Sequence, residues 1–255
     1  MADTDHPRAS SDRCSRARPS IVAARRRRRD LWDVRLLTWN CARGPWPRKR
    51  EALAALGADV AIVTEAPRVC AEDGLPWFGR PDAKNGTTVL LGPEYRFEVL
   101  AKPRRQPCVN ALRITGPHSF TLVTVWTWPA PNYRQPLLDG IRRHSKLPGP
   151  FVVAGDFNGN PVFDKPRGRV RWSSCFDAVE RLGVTSAYHA YTSEGYGRES
   201  RATHYFLRNA ARTFHIDFVF IPTQWTIRSV TVPPFEDFAM SDHRPVIVDV
   251  NPGAD

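Results

Sequence analysis

Several polar residues stand directly at the ends of apolar segments that read as β-strands. Four segments end in, or begin after, a residue that can bind a metal ion or transfer a proton: Asn40, Glu65, Asp156 and the pair Asp242-His243. A strand holds its backbone rigidly, so a side chain at its end keeps a defined position in the adjoining cleft. These residues are therefore the first candidates for a catalytic site.

A fifth polar group lies within a strand. In His215-Ile-Asp-Phe-Val-Phe, the alternation of side chains puts Ile216 and the two phenylalanines on one face, and His215 and Asp217 on the other. A carboxylate in an apolar strand is costly unless it is paired. His243 is its natural partner, because a carboxylate fixes the imidazole tautomer and supports its charge.

Together, these motifs supply carboxylates, amides and at least one imidazole, without cysteine. Hard oxygen ligands favour Mg²⁺ or Mn²⁺ over zinc. A divalent ion neutralises phosphate oxygens and a leaving alkoxide, while a carboxylate or imidazole positions and deprotonates water. The residue types therefore favour metal-dependent hydrolysis of a phosphate ester.

Strand-like and helix-like segments alternate from Val34 onward. Apolar runs separated by Gly and Pro predict strands over 34–39, 59–64, 87–91, 97–100, 109–115, 120–126, 151–154, 215–221, 226–232 and 245–250. Helices are predicted over 48–56, 137–146 and 174–182. Many strands with few helices indicate two sheets packed face to face and flanked by helices, in one domain.

Composition excludes several classes of protein. The 255 residues are 42% hydrophobic and include eight Trp, which is incompatible with a wholly disordered chain. No stretch approaches 18 uncharged apolar residues, so no membrane span is predicted. Five Cys without a CxxC pair argue against a disulfide framework and a Cys-based zinc site. A reducing, cytoplasmic location is expected.

The net charge is +11, which favours polyanionic partners such as nucleic acid or acidic lipids. This signal is weak, because the excess of Arg over Lys also fits GC-rich coding. Residues 1–33 are predicted to be a basic disordered tail; the alternatives are upstream sequence from a misassigned start and a nucleic-acid-binding arm around Arg25–Arg29. No apolar segment follows this run, so it does not resemble a secretory signal.

Five motifs occur in the order found in the endonuclease/exonuclease/phosphatase superfamily, which they resemble. They are Trp39-Asn40, Glu65, Gly155-Asp-Phe-Asn158, Ile216-Asp-Phe-Val219 and Ser241-Asp-His-Arg-Pro245. The superfamily includes pancreatic deoxyribonuclease, abasic-site endonucleases, sphingomyelinases and inositol polyphosphate 5-phosphatases. Any one motif has an ordinary structural explanation, such as a turn for Asn40. All five in order, over residues 34–250, favour the family.

The resemblance implies an α/β fold: a four-layer sandwich of two mainly antiparallel or mixed β-sheets flanked by helices, with residues 34–255 forming the catalytic domain. It implies that Glu65 is the principal metal ligand. Asn40 and Asp242 would lie close to the metal and its water network.

The same resemblance implies roles for four further residues. Asp156 would position or deprotonate the attacking water, and Asn158 would hydrogen-bond the phosphate. His243, oriented by Asp217, would bind the scissile phosphate or act as general acid or base. Which of Asp156 and His243 is the base stays open.

One segment departs from the family pattern. Many members place a His or Tyr that contacts the phosphate after the strand 120–125, whereas this chain reads Val125-Trp126-Thr127-Trp128. An indole donates one N–H and has no acid–base role at neutral pH. We therefore expect a different phosphate pocket, in which Trp126 and Thr127 contact the substrate, or an Arg compensates.

Other residues leave two interpretations open. His189, His204 and Tyr205 lie in the polar segment 184–206, which either lines the cleft or forms a surface loop. The tryptophans at 46, 77, 126 and 128 either stack on bases or belong to the core.

The sequence as a whole predicts a monomeric metal-dependent phosphodiesterase or nuclease acting on DNA or RNA. One alternative is a phosphatase or phosphodiesterase for a small or lipid phosphate ester. The other is a nucleic-acid-binding protein that keeps the fold without turnover, which the tryptophan at position 126 motivates.

Overall fold

The structure is a computed structural model that describes residues 33–100, 108–127, 134–167 and 170–253. Residues 1–32 of the predicted tail lie outside the described residues, and so does Trp128. Within these ranges, none of the helices is both long and apolar enough to cross a membrane.

The first sheet has six strands and contains both the first and the last strand of the described residues. Its spatial order is β13 (Thr226–Thr231), β14 (Val246–Asn251), β1 (Val34–Asn40), β2 (Val60–Pro67), β4 (Asn85–Leu91) and β3 (Trp77–Phe78). Strands β1 and β2 run parallel, and the other neighbours are antiparallel.

The second sheet also has six strands. Its order is β5 (Arg96–Val99), β6 (Val109–Thr115), β7 (Phe120–Trp126), β8 (Phe151–Asp156), β12 (Asp217–Pro222) and β9 (Val184–Ser186). Strands β7 and β8 are the parallel pair. A separate hairpin joins β10 (His204–Tyr205) to β11 (Thr213–Phe214).

In the described part of the chain, five α-helices connect these strands. They are α1 (Trp46–Leu56), α2 (Val69–Glu72), α3 (Arg134–His144), α4 (Trp172–Glu180) and α5 (Ala187–Thr192). Short 3₁₀ turns cover Pro161–Phe163, Phe206–Arg208 and Phe235–Phe238.

The main core fills the space between the two sheets. Leu36 and Ile62 from the first sheet pack in one cluster with Leu122 and Val152 from the second. Because the facing side chains alternate along each strand, each sheet keeps a second apolar face for helices.

Helices cover these outer faces. Leu138 of α3 and Phe176 of α4 share a cluster with Val153 of β8. Leu53 of α1 packs with Val63 of β2 on the opposite side of the molecule. The order helix, sheet, sheet, helix confirms the predicted four-layer α/β sandwich.

The main predicted elements are present, with small shifts at their ends. Strand β12 begins at Asp217 rather than at 215, and of the two preceding carbonyl groups only that of His215 bonds to a side chain outside the ladder. The His215 carbonyl accepts from Asn160 Nδ2 at 3.0 Å, and the Ile216 carbonyl accepts from the Phe157 amide at 2.9 Å. The prediction missed β3, β9, β10, β11, α2 and α5. Elements of two to six residues are too short to show a clear hydrophobic period.

Candidate active site

Three strand ends, a bulge in β2 and the loop before β14 bring the predicted site residues to one edge of the sandwich. Asn40 ends β1 and lies beside Thr64 on the parallel strand β2, so Glu65 follows directly. Asp156 ends β8, and Asp217 begins β12 exactly opposite it in the antiparallel register. Residues opposite each other on neighbouring strands share a face, so the two aspartates are held side by side.

Glycine is required immediately before Asp156. Gly155 has φ +148°, and a Cβ atom there would collide with the carbonyl oxygen of Val125 on β7. Only glycine combines this backbone conformation with so close an approach of the next strand. The Gly-Asp-Phe-Asn motif is therefore shaped by the packing of β7 against β8.

Asp156 is fully buried in a ring of amide donors. Its Oδ1 accepts from the Asn158 backbone N–H at 2.8 Å, and its Oδ2 accepts from the side-chain amides of Asn158 and Asn40, each at 2.9 Å. Burial, followed by the charge of Asp217, raises the pKa of Asp156 to about 7 despite these donors. Such a carboxyl group can exchange a proton near neutral pH.

Glu65 sits in an irregularity of β2. The register with β4 shifts between Val63 and Ala66, and Glu65 has φ +57°. A left-handed conformation is unfavourable for Glu, and such strain often marks a functional position. The bulge turns the carboxylate towards Asn40, whose Nδ2 lies 3.2 Å from Glu65 Oε1.

Asp217 and His243 form a buried ion pair. Asp217 Oδ2 lies 2.8 Å from His243 Nδ1, and both side chains are almost completely removed from solvent. Burial disfavours the imidazolium, but the charge and hydrogen bond of Asp217 outweigh it and raise the pKa of His243 to about 9. The second carboxylate oxygen, Oδ1 of Asp217, is buried without a hydrogen-bond partner among the described residues.

Ser241 and Trp39 fix the loop that carries His243. The Ser241 hydroxyl donates to the Asn40 carbonyl at 2.8 Å and accepts from the His243 N–H at 3.0 Å. The Trp39 indole donates to the His243 carbonyl at 3.0 Å. The Ser-Asp-His motif is thereby tied to the end of β1.

The segment after β7 lies against Asp156 and Asn158. The Thr127 hydroxyl donates to the Phe157 carbonyl at 2.5 Å, and its own carbonyl accepts from Asn158 Nδ2 at 3.0 Å. Thr127 is almost fully buried, and Trp126 is buried opposite Asp156 in the β7–β8 register. Trp126 and Thr127 thus lie next to Asp156 and Asn158, and the Thr127 hydroxyl is already hydrogen-bonded within the protein.

Comparison with known proteins gives the family. The model of the endonuclease/exonuclease/phosphatase family matches residues 37–243. The chain belongs to this family. Members of the endonuclease/exonuclease/phosphatase family are phosphoester hydrolases and generally depend on a divalent metal ion.

Solved structures with this fold share little sequence with the chain. The endonuclease domain of TRAS1, a telomere-specific non-LTR retrotransposon, is 18% identical with a TM-score of 0.64, covering 87% of this chain and 100% of that one. The 3′ phosphatase NExo from Neisseria, bound to a product DNA hairpin, is 18% identical with a TM-score of 0.59, covering 84% and 98%. An endonuclease/exonuclease/phosphatase from Beutenbergia cavernae is 18% identical with a TM-score of 0.57, covering 87% and 72%. No curated protein matches the chain.

Two compact groups of ligand-type side chains occur among the described residues of this family member. Within each group the ligand atoms lie within 4.8 Å of one another; the groups are His204, Asp242 and His243, and Asp156, Asp217 and His243. Glu65 belongs to neither group and instead contacts Asn40. The three predicted metal ligands are thus divided between the Asn40–Glu65 contact and the group around Asp242.

Lys49 interacts electrostatically with both Glu65 and Asp242. Its buried ammonium donates to the Ala42 carbonyl at 2.7 Å. Burial lowers the pKa of Lys49, while the charges of Glu65 and Asp242 act in the opposite direction. With the Asn40 amide, these carboxylates supply the hard oxygen donors that suit Mg²⁺ or Mn²⁺. No pattern in the sequence marks Lys49 as a neighbour of the site.

The sequence analysis missed Thr203 and left the position of His204 open. The Thr203 carbonyl accepts from the Arg244 N–H at 2.7 Å, and its hydroxyl accepts from the Asp217 N–H at 3.1 Å. The His204 ring lies 4.3 Å from that of His243. The segment 203–204 therefore lines the site, which resolves the open choice for His204.

His204 also faces Asp242. Its Nε2 lies 3.8 Å from Asp242 Oδ2. Burial opposes ionisation of Asp242, yet the interaction with His204 and the charge of His243 lower its pKa to about 2. Asp242 is consequently a stable anion at the edge of the cleft.

His189 and Tyr205 take structural positions. His189 lies in a buried network with Glu199, 3.1 Å away, rather than in a surface loop. Tyr205 stacks on Phe235 with ring centroids 4.6 Å apart, and the Arg244 guanidinium lies 3.9 Å from the centroid of the Tyr205 ring. Trp46, the first residue of α1, is buried in the core, as one of the two interpretations of the tryptophans expects.

Proposed function

We propose that this protein is a divalent-metal-dependent phosphodiesterase that cleaves DNA or RNA. The observation that carries the proposal is the buried Asp217–His243 pair held beside Asp156 at the ends of β12 and β8. Hydrolysis of a phosphate ester needs a proton acceptor for water and a cation for the phosphate. These three residues supply both at one edge of the sheets.

Asp156 is the proton acceptor in this proposal. Its raised pKa makes the carboxylate a stronger base than an ordinary aspartate. The amides of Asn40 and Asn158 hold the carboxylate oxygens in place, so water meets a fixed acceptor. Both Nδ2 protons of Asn158 are donated within the protein, to Asp156 and to the Thr127 carbonyl, so Asn158 bonds to the phosphate in this proposal by exchanging one of these two bonds.

His243 is the cation that receives the phosphate. Asp217 bonds to Nδ1 and supports the imidazolium, which leaves Nε2 as the atom for a phosphate oxygen or the leaving group. Because the raised pKa keeps His243 protonated at neutral pH, we assign the role of base to Asp156 rather than to His243. Asp217 is a positioning residue.

Glu65, Asn40 and Asp242 would hold a Mg²⁺ or Mn²⁺ ion. When bound, such an ion neutralises phosphate charge and stabilises the leaving oxygen. Glu65 would contribute its carboxylate from the bulge in β2, and Asp242 remains ionised because of its lowered pKa. Trp126 stays a predicted substrate contact, and Thr127 acts by holding Asn158.

Nucleic acid is the proposed substrate class. The net charge of +11 favours a polyanion, and two proteins of similar fold are named as an endonuclease and as a phosphatase bound to a DNA product. The buried acids and His243 also argue against a binding protein without turnover, since binding alone needs no buried proton acceptor.

The test is hydrolysis of a substrate panel with Mg²⁺ or Mn²⁺. The panel contains supercoiled plasmid, single-stranded DNA, RNA, abasic-site duplex, bis-p-nitrophenyl phosphate and an inositol polyphosphate. We expect nucleic-acid cleavage that EDTA abolishes and that Asp156→Asn lacks. Cleavage of the small esters alone would overturn the assigned substrate class, and binding without turnover in any metal would overturn the assigned activity.

A further inference from the structure

Lys49 is a lysine on the buried face of a helix. The buried side chains of α1 are Trp46, Lys49 and Leu53, so an ammonium group stands where the helical spacing predicts an apolar residue. Lys49 is only 2% exposed. Because a lysine is almost never fully buried unless it is paired, its position in the fold requires negative charge nearby.

The negative charge near Lys49 does not touch it. None of the described carboxylates forms a direct ion pair with Lys49, and its Nζ donates to the neutral carbonyl of Ala42 at 2.7 Å. Lys49 is also the fourth residue of α1, at the end of the helix whose dipole disfavours positive charge. Its counter-charges are Glu65 and Asp242, which act through space against the lowering of its pKa by burial.

The loop that follows β1 encloses the ammonium. Ala42 has φ +53°, an unfavourable conformation for a residue with a Cβ atom, and its carbonyl accepts the hydrogen bond from Lys49. A Cβ atom on Gly44 would stand 3.7 Å from the Lys49 Nζ. The charge of Lys49 therefore has a fixed position beneath this loop.

The same loop orients Asn40. The Ala42 N–H donates to Asn40 Oδ1 at 2.9 Å. The Asn40 Nδ2 group is thereby directed at Glu65 Oε1, 3.2 Å away, and at Asp156 Oδ2, 2.9 Å away. Lys49 thus bonds to the turn that positions Asn40, which is one of the proposed ligands of the divalent ion.

We propose that Lys49 is a built-in counter-ion of the metal site, and that its charge sets how tightly a divalent ion binds there. In the metal-free protein the ammonium offsets the negative charge of Glu65 and Asp242. It repels a cation held by the same carboxylates, so the affinity is lower than these carboxylates alone would give. The inference rests on the proposed function, because it concerns the ion that Glu65, Asn40 and Asp242 would hold.

A purely structural role for Lys49 predicts a different result. If Lys49 only held the Ala42 turn, loss of its hydrogen bond would disturb Asn40 and weaken metal binding. An electrostatic role predicts the opposite sign, because loss of the positive charge strengthens the attraction between the carboxylates and the ion. The direction of the change in metal affinity therefore distinguishes the two roles.

The test measures Mn²⁺ binding to the full chain, freed of metal, by titration calorimetry. Lys49→Arg keeps the charge and a donor, Lys49→Gln keeps only a donor, and Lys49→Met keeps neither. Buried sites commonly tolerate the replacement of a charged group by an apolar one of similar volume, and each variant is titrated after circular dichroism shows that it is folded. Lys146→Gln is the matched control, because Lys146 is exposed and follows α3, which covers the other sheet.

We expect Lys49→Gln and Lys49→Met to bind Mn²⁺ about tenfold more tightly than wild type. Lys49→Arg and Lys146→Gln should match wild type. Because Coulomb repulsion is proportional to the charge of the ion, the two neutral variants should gain about thirtyfold in affinity for Tb³⁺, measured by its luminescence. A change in packing alone would not scale with the charge of the ion.

The outcomes separate failure of this inference from failure of the proposed function. If wild type binds Mn²⁺ and Lys49→Gln leaves the affinity unchanged or weakens it, the role of Lys49 alone is overturned. An equal gain for Mn²⁺ and Tb³⁺ would overturn its electrostatic cause. Absence of Mn²⁺ binding by wild type, together with cleavage that EDTA leaves intact, would overturn the metal site of the proposed function itself.

Discussion

Among the described residues, two pairs of a histidine and a carboxylate are largely removed from solvent and have similar local geometry. Asp217 and His243 meet at 2.8 Å, and Glu199 and His189 meet at 3.1 Å. All four side chains are largely removed from solvent. Residue types and distances alone would not tell which pair performs chemistry.

The pair Glu199–His189 has its hydrogen-bonding capacity filled. Asn160 Nδ2 donates to Glu199 Oε1 at 2.7 Å, and the Ser186 hydroxyl lies 2.8 Å from His189 Nδ1. Burial opposes ionisation of Glu199, but His189 and backbone donors outweigh it and lower the pKa to about 2. Ser186 is buried, so its hydroxyl is not presented at the surface for attack on a substrate, and we assign this Ser–His–Glu arrangement to the scaffold.

The pair Asp217–His243 keeps unused capacity and has charged neighbours. Asp217 Oδ1 has no partner among the described residues, and Asp156 lies opposite Asp217 on the next strand. Like charges held together at such an edge shift proton affinities towards neutral pH. A histidine–carboxylate pair alone therefore does not mark the candidate active site. The distinguishing features are a carboxylate oxygen without a hydrogen-bond partner and a second acid beside it.

The largest effect is expected from Asp156→Asn. The amide cannot accept a proton, so hydrolysis of the best substrate should fall by about 10²- to 10⁴-fold. The rate is measured per folded molecule, because the new amide N–H faces at least one of the donors from which Asp156 accepts. Glu199→Gln is the control, with a rate within about twofold of wild type; equal losses in the two variants would break the comparison.

Glu65→Gln should weaken metal binding by about 10- to 100-fold, since a neutral amide is a poorer ligand for a hard ion. Titration calorimetry with Mn²⁺ measures this without relying on turnover. Glu72→Gln on α2 replaces an exposed carboxylate and should leave the affinity unchanged. Unaltered Mn²⁺ affinity in Glu65→Gln would remove Glu65 from the proposed ligands.

The pH dependence of the rate sharpens the contrast further. The rate should rise as Asp156 loses its proton near pH 7 and fall as His243 loses its proton near pH 9. Asp217→Asn removes the charge that raises the pKa of His243, so the alkaline limb should move down by about one pH unit or more. An alkaline limb that stays in place would show that another group sets it.

The smallest effect on the rate, but a clear effect on stability, is expected from Glu199→Gln. The lowered pKa of Glu199 means that its stabilisation is present above pH 4.5 and is lost as pH falls towards 2. The variant should lower the free energy of unfolding by about 1–3 kcal/mol at pH 7. Urea unfolding should show this difference shrinking below pH 4.5.

An exposed carboxylate provides the control for this measurement. Glu180 accepts a hydrogen bond from Tyr196 at the surface, and Glu180→Gln should cost less than about 1 kcal/mol. If Glu180→Gln lowered the free energy of unfolding as much as Glu199→Gln, the network around Glu199 would add no more stability than a hydrogen bond at the surface.

Much of the candidate site is predictable because strand ends are encoded locally. Apolar runs that stop at Asn40 and Asp156 give both the strand and the position of the polar side chain, whereas Glu65 lies in a bulge within β2, which continues to Pro67. The alternation in β12 predicts that Phe218 and Phe220 share a face, and they do share one cluster.

The rest depends on contacts between distant segments. His204 reaches His243 through a single β-bridge that no periodic pattern announces. The network of His189 and Glu199 likewise forms between short segments, and nothing in their sequence distinguishes it from the pair Asp217–His243. The internal hydrogen bond of the Thr127 hydroxyl also depends on packing against Phe157.

The most direct test of the account compares the same substitution at the two histidines, His243 and His189. His243→Gln and His189→Gln both keep a donor for the partner carboxylate, so each variant removes the imidazole without leaving the acid entirely unpaired. Catalytic rate per folded molecule and thermal midpoint are measured for both. The account predicts that His243→Gln lowers the rate by about 10²- to 10⁴-fold, whereas His189→Gln lowers the midpoint by about 2–4 °C per kcal/mol lost and retains the rate. A reversed pattern, or equal losses of rate in the two variants, would contradict it.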